Sequence, residues 1–584
     1  MKKTVAVAVG EEDDGDEQCP LLEPSPTTHR AGGFTTLPFI AGNLALTMMV
    51  NCGIAPNMIL YLMREYGLDM TTGSNIIYWW GAFSNVTPIL AALMADSFMG
   101  RFQMITLGSL INLLGISMLW LTTVMPQARP PHCTQSNNNS ICTSATPLQL
   151  LVLLISLVLI SVGSGGVRSS SLAFGIDQLK NVEKKNGSAM ESYFGCYYAI
   201  NMASVLVSIT CLVYIQENMG WGIGFGVLVV LMLFATTCIL LGYPFYVKPK
   251  PKGSLITGLF QVVVACYRKR RITISSRQDK GVVEAYHQQG PALRHPSETL
   301  RFLNKACIIQ DPQKDLNSDG KALNPWSLCT LEQVEELKAC LKVLPIWATG
   351  VIMNINVSQG SFSILQATTM DRHVGPPTGG FEIPAASLSI FTYVSIIAWL
   401  ALYERVIRRR FRLSATARMG CGIFVSLLAV AAAAVVEGTR RARAVDEGLS
   451  GNPEGIVGMS VLWVVPHALL TGLAEGMNAV AQNEFYVSEF PPSMWSIASN
   501  FLGVGMATAS MAASGLMSAV AGATRGWEGG SWISSNINKG HYDYYNWVLV
   551  GLSLINLMLF FFCSRAYGPY GEEKKNKQSY DVED

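Results

Sequence analysis

Two charged residues stand inside long apolar stretches of the sequence. Arg168 follows the glycine-rich Ser164-Gly165-Gly166-Val167, and Glu475 lies in Leu473-Ala474-Glu475-Gly476-Met477. A charge in apolar surroundings costs free energy, so each is expected to face a cavity or a partner of opposite charge. The fork of donors on Arg168 suits an anionic group, and a solute or a proton at Glu475 would weaken an Arg168–Glu475 pair. The alternative is that each charge is neutralised separately within its own half of the chain.

The composition of the 584-residue chain places it in a membrane. Half of the residues are hydrophobic and only 14% are charged, against about 25% in soluble globular proteins. The apolar residues gather into runs of roughly 20, the length that a helix needs to cross a bilayer. The expected partner is therefore the lipid bilayer, and a cytosolic enzyme, a nucleic-acid-binding protein and a disordered scaffold are all disfavoured.

The apolar runs predict an all-α integral membrane protein with twelve spans in two sets of six. The first set covers 36–62, 75–95, 103–125, 148–173, 192–215 and 221–246, and the second covers 340–367, 383–404, 416–437, 459–482, 493–521 and 545–564. The predicted parts are an acidic tail at 1–35, a six-helix bundle at 36–246, a linker at 247–339, a second six-helix bundle at 340–564 and a tail at 565–584. Two six-span halves joined by a long loop are the plan of major-facilitator transporters, whose halves rock around a central site.

Basic residues near the span ends predict the orientation. They cluster in the connections 174–191, 247–339 and 405–415, all on the side of the N-terminus, so that side is expected to be cytosolic. The cluster of Arg440, Arg441 and Arg443 falls on the other side, but it is outnumbered.

The linker has two kinds of sequence. The apolar residues 255–263 lead into Arg268-Lys269-Arg270-Arg271, a pattern that predicts an amphipathic helix on the inner leaflet. Residues 272–330 are polar and are expected to be partly disordered.

The loop after the third span is polar and predicted to lie outside the cell. Cys133 and Cys142 bracket it and would close it as a disulfide in a non-cytosolic compartment. Asn138-Asn139-Ser140 fits the glycosylation pattern. The 13 cysteines show no CxxC pair and no Cys/His ligand pattern, so neither a metal site nor a cofactor is expected.

Six motifs are spread along the chain. They are Ala95-Asp96-Ser97-Phe98-Met99-Gly100-Arg101-Phe102; Ser164-Gly165-Gly166-Val167-Arg168 with Phe174-Gly175-Ile176-Asp177-Gln178; Phe194-Gly195-Cys196-Tyr197-Tyr198-Ala199-Ile200-Asn201; Tyr214-Ile215-Gln216-Glu217-Asn218 with Gly220-Trp221-Gly222; Val334-Glu335-Glu336-Leu337-Lys338 with Pro345-Ile346-Trp347; and Glu484-Phe485-Tyr486 with Pro491. Together they resemble the plant nitrate/peptide transporter family, a branch of the proton-coupled oligopeptide transporters within the major facilitator superfamily.

The resemblance implies a transporter of small anions such as nitrate, of short peptides, or of plant metabolites and hormones. It implies substrate-facing or gating roles for one set of residues, namely Arg168, Glu475, Tyr197, Tyr198, Asn201 and Trp347. The family typically has Lys at the position of Arg168, and Arg keeps the charge but does not readily release its proton. For the aromatic residues and for His467, which lies in a span, simple packing is the competing interpretation.

The turn between spans two and three has a predicted role as a conformational latch. Asp96 and Arg101 flank Gly100, which permits close backbone approach. A carboxylate here would bind a facing helix N-terminus or an arginine in one conformation and release it in the other. The alternative is a solvated turn that merely obeys the inside charge rule.

Span one departs from the family. The ExxE-plus-basic motif tied to proton coupling is absent, and Leu44, Thr47 and Met48 stand in its place. Leucine and threonine cannot hold a proton in transit as a carboxylate does. Either Glu475 alone carries the proton, or coupling is weak and the protein is a facilitator or efflux route, or the protein is receptor-like or inactive.

The sequence therefore predicts a secondary transporter that moves a small anionic or zwitterionic solute by alternating access. The rival is a transceptor-like protein that binds solute with little net flux, and a membrane enzyme is the least favoured class. The plasma membrane is the expected location, with the vacuolar membrane as the alternative because Glu17, Leu21 and Leu22 fit an acidic dileucine pattern. No sequence pattern identifies the substrate or the oligomeric state.

Overall fold

The computed structural model describes residues 32–567 apart from 132–133, 137–138, 142–144, 184–188, 249–254, 272–285, 289–295, 298, 318–319, 375–380, 412, 492–493 and 527–530. The predicted disulfide between Cys133 and Cys142, the predicted glycosylation site at Asn138 and the dileucine pattern around Leu21 lie outside the described residues.

The first bundle consists of eight helices. They are α1 (Leu37–Ile54), α2 (Met58–Arg64), α3 (Met70–Met94), α4 (Arg101–Val124), α5 (Pro147–Glu183), α6 (Ala189–Val207), α7 (Val213–Asn218) and α8 (Trp221–Leu241). The predicted first span is divided between α1 and α2. The predicted fifth span is α6 and α7 with a π-helical turn, Ser208–Leu212, between them. Asp69 caps α3 because its carboxylate accepts a hydrogen bond from the backbone N–H of Thr72 at 3.1 Å.

The linker and the second bundle supply the remaining helices. They are α9 (Leu255–Arg268), α10 (Pro312–Asp315), α11 (Leu331–Val357), α12 (Gly360–Thr368), α13 (Ile390–Leu402), α14 (Arg408–Arg410), α15 (Ala415–Asp446), α16 (Val465–Glu489), α17 (Trp495–Ala523) and α18 (Tyr542–Tyr567). The predicted seventh span is divided between α11 and α12. It begins inside the predicted linker, where Thr330 and Gln333 form a reciprocal capping box.

The fold is the twelve-helix major facilitator fold. Within the described residues, eleven segments are long and apolar enough to cross a bilayer. The span missing from these eleven is α16, the tenth in chain order. Its 25 residues include Glu475, Glu484 and Glu489 and are therefore less apolar than the other spans. It packs against α15 and α13.

Short strands lie in the loops. They are β1 (Thr134–Ser136), β2 (Asn139–Ile141), β3 (Met370–Asp371), β4 (His373–Val374), β5 (Phe381–Glu382) and β6 (Val457–Ser460). The pairs β1–β2 and β4–β5 are antiparallel, whereas β3 and β6 are parallel. The β4–β5 and β3–β6 pairs form a cap on the second bundle, at the end opposite the linker.

The arginine cluster that disagreed with the charge rule has a structural role in this cap. The prediction ended the ninth span at 437, but α15 continues to Asp446. Arg440 is fully buried, and it donates to both carboxylate oxygens of Glu437 at 2.9 and 2.8 Å. It also donates to the side chain of Asn538 at 2.6 Å and to the backbone oxygen of Ile537 at 2.9 Å. A neutralised, saturated guanidinium needs no cytosolic location, so Arg440 carries no weight as a topology signal.

The amphipathic helix that the sequence predicts in the linker is α9. The amphipathic α9 buries Val262 and Ala265 and exposes Phe260, Val263 and Tyr267. The buried face packs on the turn Arg301–Cys307 and on α11. Phe260 and Val263 of the exposed face line an apolar cavity beneath the bundles, so the predicted contact of this helix with the inner leaflet stays a prediction.

Candidate functional site

A cavity of about 350 Å³ lies between the two bundles. The first bundle contributes Cys52, Ala55, Pro56, Ile77, Val205 and Ile209, and the second contributes residues from α11, α12, α13 and α16. A second cavity of about 350 Å³ lies between α9 and the linker-side ends of α3, α11 and α17, but its lining is almost entirely apolar. Among the described residues, the first cavity combines an almost entirely apolar wall from the first bundle with several polar side chains from the second bundle.

One face of α16 forms a wall of this cavity. Its lining residues on α16 and the preceding turn are Val464, His467, Ala468, Thr471 and Glu475. Their spacing of three or four residues keeps them on one side of a helix. From the sequence, only Glu475 is named as a site residue on this helix. The helical period of 3.6 residues places His467 and Thr471 on the same face as Glu475, so it is the sequence signal that could have identified them.

Arg168 and Glu475 lie on opposite sides of the same region without meeting. Arg168 is exposed and lies within electrostatic range of Cys52, which lines the cavity, and of Tyr197. Glu475 lies within electrostatic range of Tyr393, and Tyr393 is also within range of Cys52.

Neither of the two pairing expectations is realised in this conformation. Among the described residues, no ion pair of 4.0 Å or less joins Arg168 to Glu475, and none joins either residue to a different charge. Within the part of the chain that the structure describes, Glu475 thus lines the cavity without an ion-pair partner, whereas Arg168 lies outside the lining, near Cys52.

The other residues predicted to face substrate lie away from this lining. Tyr197 is half-buried against Tyr198, with ring centroids 5.6 Å apart, and Tyr198 is 57% exposed. Asn201 donates to the backbone oxygen of Tyr197 at 2.9 Å. Trp347 donates to the backbone oxygen of Phe501 at 3.3 Å and packs on its ring. The geometry of Asn201 and Trp347 in this conformation is that of packing residues.

The residues that replace the proton motif are packing residues too. Leu44 and Thr47 are buried, and the Thr47 hydroxyl contacts Met232 Sδ at 3.9 Å. Met48 is half-buried. None of the three is among the cavity-lining residues, so span one presents no acid or base to the cavity from these positions.

The bundles are joined on the side away from the linker. Arg372 of the second bundle binds Glu217 of the first at 2.6 Å. Tyr78 on α3 donates to Gln359 Oε1 at 2.8 Å, and Gln359 lines the cavity at the break between α11 and α12. Ser387 donates to the backbone oxygen of Ile209 at 3.0 Å. These contacts close the outer side in the predicted orientation.

The predicted latch of Asp96, Gly100 and Arg101 has a third charged residue, Asp177. Gly100 has φ +85°, a conformation that favours glycine, and it sets the turn between Asp96 and Arg101. Arg101 binds Asp96 at 3.3 Å and the buried carboxylate of Asp177 at 2.7 Å. From the sequence, Asp177 is named only within the span-four motif and is given no role. Its position near the predicted end of that span is the sequence signal that could have identified it as a partner of Arg101.

The second bundle repeats this arrangement. Arg418, near the start of α15, is buried and pairs with Glu484 near the end of α16. Its guanidinium also lies 4.6 Å from the ring centre of Tyr403. Each bundle therefore ties its third span to its fourth span on the side of the linker.

Two packed helical bundles around a central polar cavity define a membrane transporter of the major facilitator superfamily. The sequence pattern described as "PTR2: POT family" matches residues 102–533, and the chain belongs to this family.

Curated relatives in Arabidopsis thaliana match this chain over nearly its full length. Protein NRT1/PTR FAMILY 1.2 is 46% identical over 93% of this chain and 91% of the relative. Protein NRT1/PTR FAMILY 1.1 is 44% identical over 95% of each chain. These matches confirm the plant nitrate/peptide family that the motifs predicted.

Solved structures share the fold at low identity. The crystal structure of an auto-inhibited POT family peptide transporter superposes with a TM-score of 0.66 at 18% identity, covering 92% of this chain and 98% of that chain. The POT family transporter PepTSo superposes with a TM-score of 0.66 at 16% identity, covering 91% and 98%.

Proposed function

We propose that the protein carries a small organic or inorganic anion, or a zwitterion, through the central cavity by alternating access. Arg168 attracts the anionic group of the solute, and Glu475 gates the cavity from the opposite bundle. The observation that carries the proposal is that Glu475 lines the cavity and Arg168 lies near cavity-lining Cys52, each without an ion-pair partner among the described residues. A solute that satisfies either charge stabilises the conformation in which it is bound.

We further propose weak proton coupling and a plasma-membrane location. Leu44, Thr47 and Met48 provide no proton carrier in span one, so Glu475 is the remaining acid that borders the cavity. A single carboxylate cannot hold a proton and a cationic group of the solute at the same time, which disfavours their transport in the same direction. Strong stimulation of uptake by acid, together with a proton current, would contradict this part of the proposal.

The test is flux through the purified chain in proteoliposomes, with nitrate, dipeptides and carboxylate hormones measured at acidic and neutral pH. Arg168→Ala should abolish transport of the anionic solute, and Arg168→Lys should restore part of it because the charge returns without the forked geometry. Leu469→Ala, on an exposed part of α16, is the matched control. Unchanged kinetics in Arg168→Ala would remove the proposed role.

A transceptor-like function is the second candidate. The observation that favours it is the ordered linker, which is bound to the start of α11 through Ser297, Glu335 and Lys338. A linker held in this way can report a movement of the second bundle to cytosolic partners. Ligand-dependent thermal stabilisation without flux would support this function, and flux at a rate matched to binding would exclude it.

A further inference from the structure

The apolar cavity beside α9 lies where three parts of the chain meet. The first bundle lines it with Ile89 and Leu93 of α3, the second bundle lines it with residues of α11 and α17, and the linker lines it with Phe260 and Val263 of α9. Its volume of about 350 Å³ falls within the range of about 300–1,000 Å³ that is usual for ligand pockets. A molecule in this cavity would contact both bundles and the linker at once.

The lining of this cavity suits a hydrocarbon chain. Asp96 is its one charged lining residue among those described, and the Asp96 carboxylate is bound by Arg101 at 3.3 Å. The other lining side chains are apolar except for Cys340 and Asn500. Removal of apolar surface from water is therefore the main contribution that the cavity can make to binding. It favours a hydrocarbon over a strongly hydrated solute.

The surface next to the cavity is apolar as well. On α3, Leu90 and Met94 directly follow lining residues and are 54% and 48% exposed. On α9, Tyr267 lies one turn beyond Val263 on the same helix face and is also exposed. Exposed apolar side chains on a spanning helix and on an amphipathic helix are typical of contact with lipid. Lipid acyl chains are therefore the hydrocarbon that this cavity would meet in a bilayer.

Three exposed arginines follow the apolar face of α9. They are Arg268, Arg270 and Arg271, and within the described residues none of them forms an ion pair with a carboxylate. Lys269 does not belong to this group, because it is buried and donates to the backbone oxygen of Ile308 at 2.7 Å. The chain therefore presents three uncompensated positive charges directly after the helix that lines the cavity.

The arginines and the cavity are close enough for one lipid to reach both. Val263 and Arg268 are about 8 Å apart along the helix axis, at 1.5 Å per residue. An acyl chain extends about 15 Å, which is half the hydrocarbon thickness of a bilayer. The guanidinium of Arg270 lies 4.6 Å from the ring centre of Tyr267, so this charge lies over the apolar face of α9 that leads to the cavity.

We propose that the cavity between α3, α9, α11 and α17 binds an anionic phospholipid, with an acyl chain in the cavity and the phosphate on Arg268, Arg270 and Arg271. Arginine suits a phosphate because its planar fork donates two parallel hydrogen bonds, and basic segments beside a leaflet attract anionic lipids. The site is separate from the central cavity, with which it shares no lining residue among those described.

The experiment measures lipid binding to the purified full chain in a neutral detergent by native mass spectrometry. Dioleoyl phosphatidylglycerol has a net negative charge and two acyl chains. Dioleoyl phosphatidylcholine has the same chains without net charge, and glycerol 3-phosphate has the phosphate without the chains. Ala92→Phe fills the cavity from α3, and Val263→Trp fills it from α9. Leu90→Phe is the matched control, because Leu90 is exposed and does not line the cavity.

The arginines are tested by a triple variant with a charge-matched control. The test variant is Arg268→Gln, Arg270→Gln, Arg271→Gln. The control changes three exposed arginines in the connection after α13 that do not line the cavity, and it is Arg405→Gln, Arg408→Gln, Arg410→Gln. Both variants lose the same net charge, so a difference between them reports the position of the arginines.

The wild-type chain should bind phosphatidylglycerol at least tenfold more tightly than phosphatidylcholine, since each arginine near an anionic headgroup contributes about fivefold. The test triple should remove this preference and leave phosphatidylcholine binding within about twofold, whereas the control triple should keep most of the preference. Ala92→Phe and Val263→Trp should weaken binding of both lipids about tenfold, because each excludes a few methylene groups. Leu90→Phe should stay within about twofold of the wild type.

Four results would overturn the inference. Equal binding of the two lipids to the wild-type chain would reject the arginine site. Undiminished lipid binding in a folded Ala92→Phe or Val263→Trp protein would reject the cavity. An equal loss in the two triple variants would assign the preference to net charge alone. Displacement of the lipid by glycerol 3-phosphate would assign the arginines to a free phosphate.

Discussion

Arg372 of the second bundle donates from Nη1 to Oε1 of Glu217 in the first bundle at 2.6 Å. The side chains are only 15% and 21% exposed, and the second guanidinium nitrogen of Arg372 binds Glu382 at 2.5 Å. The pair crosses the interface between the bundles on the side that is closed. It must therefore break whenever the cavity opens to that side.

We predict that Glu217→Gln shifts the chain toward the outward-open conformation. A hydrogen bond to a charged group contributes about 1.5–3 kcal/mol, so the outward-open fraction should rise about tenfold. The rise would be measured as faster labelling of cavity-lining Cys52 by an impermeant maleimide from the outside, quantified by peptide mass spectrometry.

Glu382→Gln is the matched control for this gate. Glu382 is half-exposed and belongs to the same bundle as Arg372, so its loss should change the Cys52 labelling rate much less. In the Glu217→Gln, Arg372→Gln double variant the effects should be less than additive, because both changes remove one contact. Full additivity would show that the two residues do not act as a pair.

We predict unequal roles for the two acids that bind Arg101. The side chain of Asp177 is 2% exposed and that of Asp96 is 42% exposed. Asp177→Asn should cost about 1–3 kcal/mol because it leaves a guanidinium poorly compensated. Asp96→Asn should cost less than about 1 kcal/mol, as a solvated ion pair does. Thermal unfolding in detergent measures both, and equal shifts would contradict the assignment of Asp177 as the main partner.

Arg440 should be essential for folding of the outer cap. Arg440→Ala leaves Glu437 buried without its partner, which costs about 3–5 kcal/mol. Arg443 is on the same helix and is exposed, with one long contact to the backbone oxygen of Gly458 at 3.4 Å. Arg443→Ala should therefore remain within about 0.5 kcal/mol of the parent. Monodisperse yield and thermal midpoint after detergent extraction distinguish them, and a stable Arg440→Ala protein would be contrary evidence.

Lys338 should hold the linker on α11. It is buried and donates to Ser297 O at 2.8 Å, Ser297 Oγ at 3.0 Å and Glu335 at 2.8 Å. Lys338→Met should speed proteolysis within residues 272–330 while leaving the thermal midpoint of the bundles nearly unchanged. Lys342→Met, one turn further along and half-exposed, is the control. Equal cleavage rates in the two variants would argue against this clamp.

Docking of the linker should weaken as the pH falls. Burial, together with the charge of Lys269, lowers the pKa of His287 below 6.5, although Glu332 opposes the change. The released linker then binds more protons than the docked linker as the pH falls through about 6.5, so protonation favours release. Above that pH the contribution of His287 to docking is complete. Proteolysis of the linker as a function of pH measures this, and His287→Gln should flatten the profile.

The charge-rule exception shows where reasoning from the sequence reaches its limit. The orientation rule counts basic residues near the span ends, and three arginines near position 440 disagree with the predicted orientation. Such a count cannot distinguish a solvated side chain from a buried one. Arg440 proved to be fully buried and saturated with partners. Its charge partner Glu437 lies three residues earlier on the same helix, but its other partners come from segments about 70 and 100 residues away in sequence, and no local pattern signals those.

The sequence alone determined the membrane class, the approximate positions of the spans, the family, and the presence of a rare charge in each bundle, because hydrophobic runs, motifs and isolated charges are local properties. Only the tertiary structure decided that Arg168 and Glu475 do not pair, that Asp177 binds Arg101 of the predicted latch, and that Nδ1 of His467 lies 3.0 Å from the backbone oxygen of Ala429. Those relationships depend on how separate helices pack and on which donor faces which acceptor. Such contacts are set by the whole fold, at distances of a few ångströms that spacing along the chain does not specify.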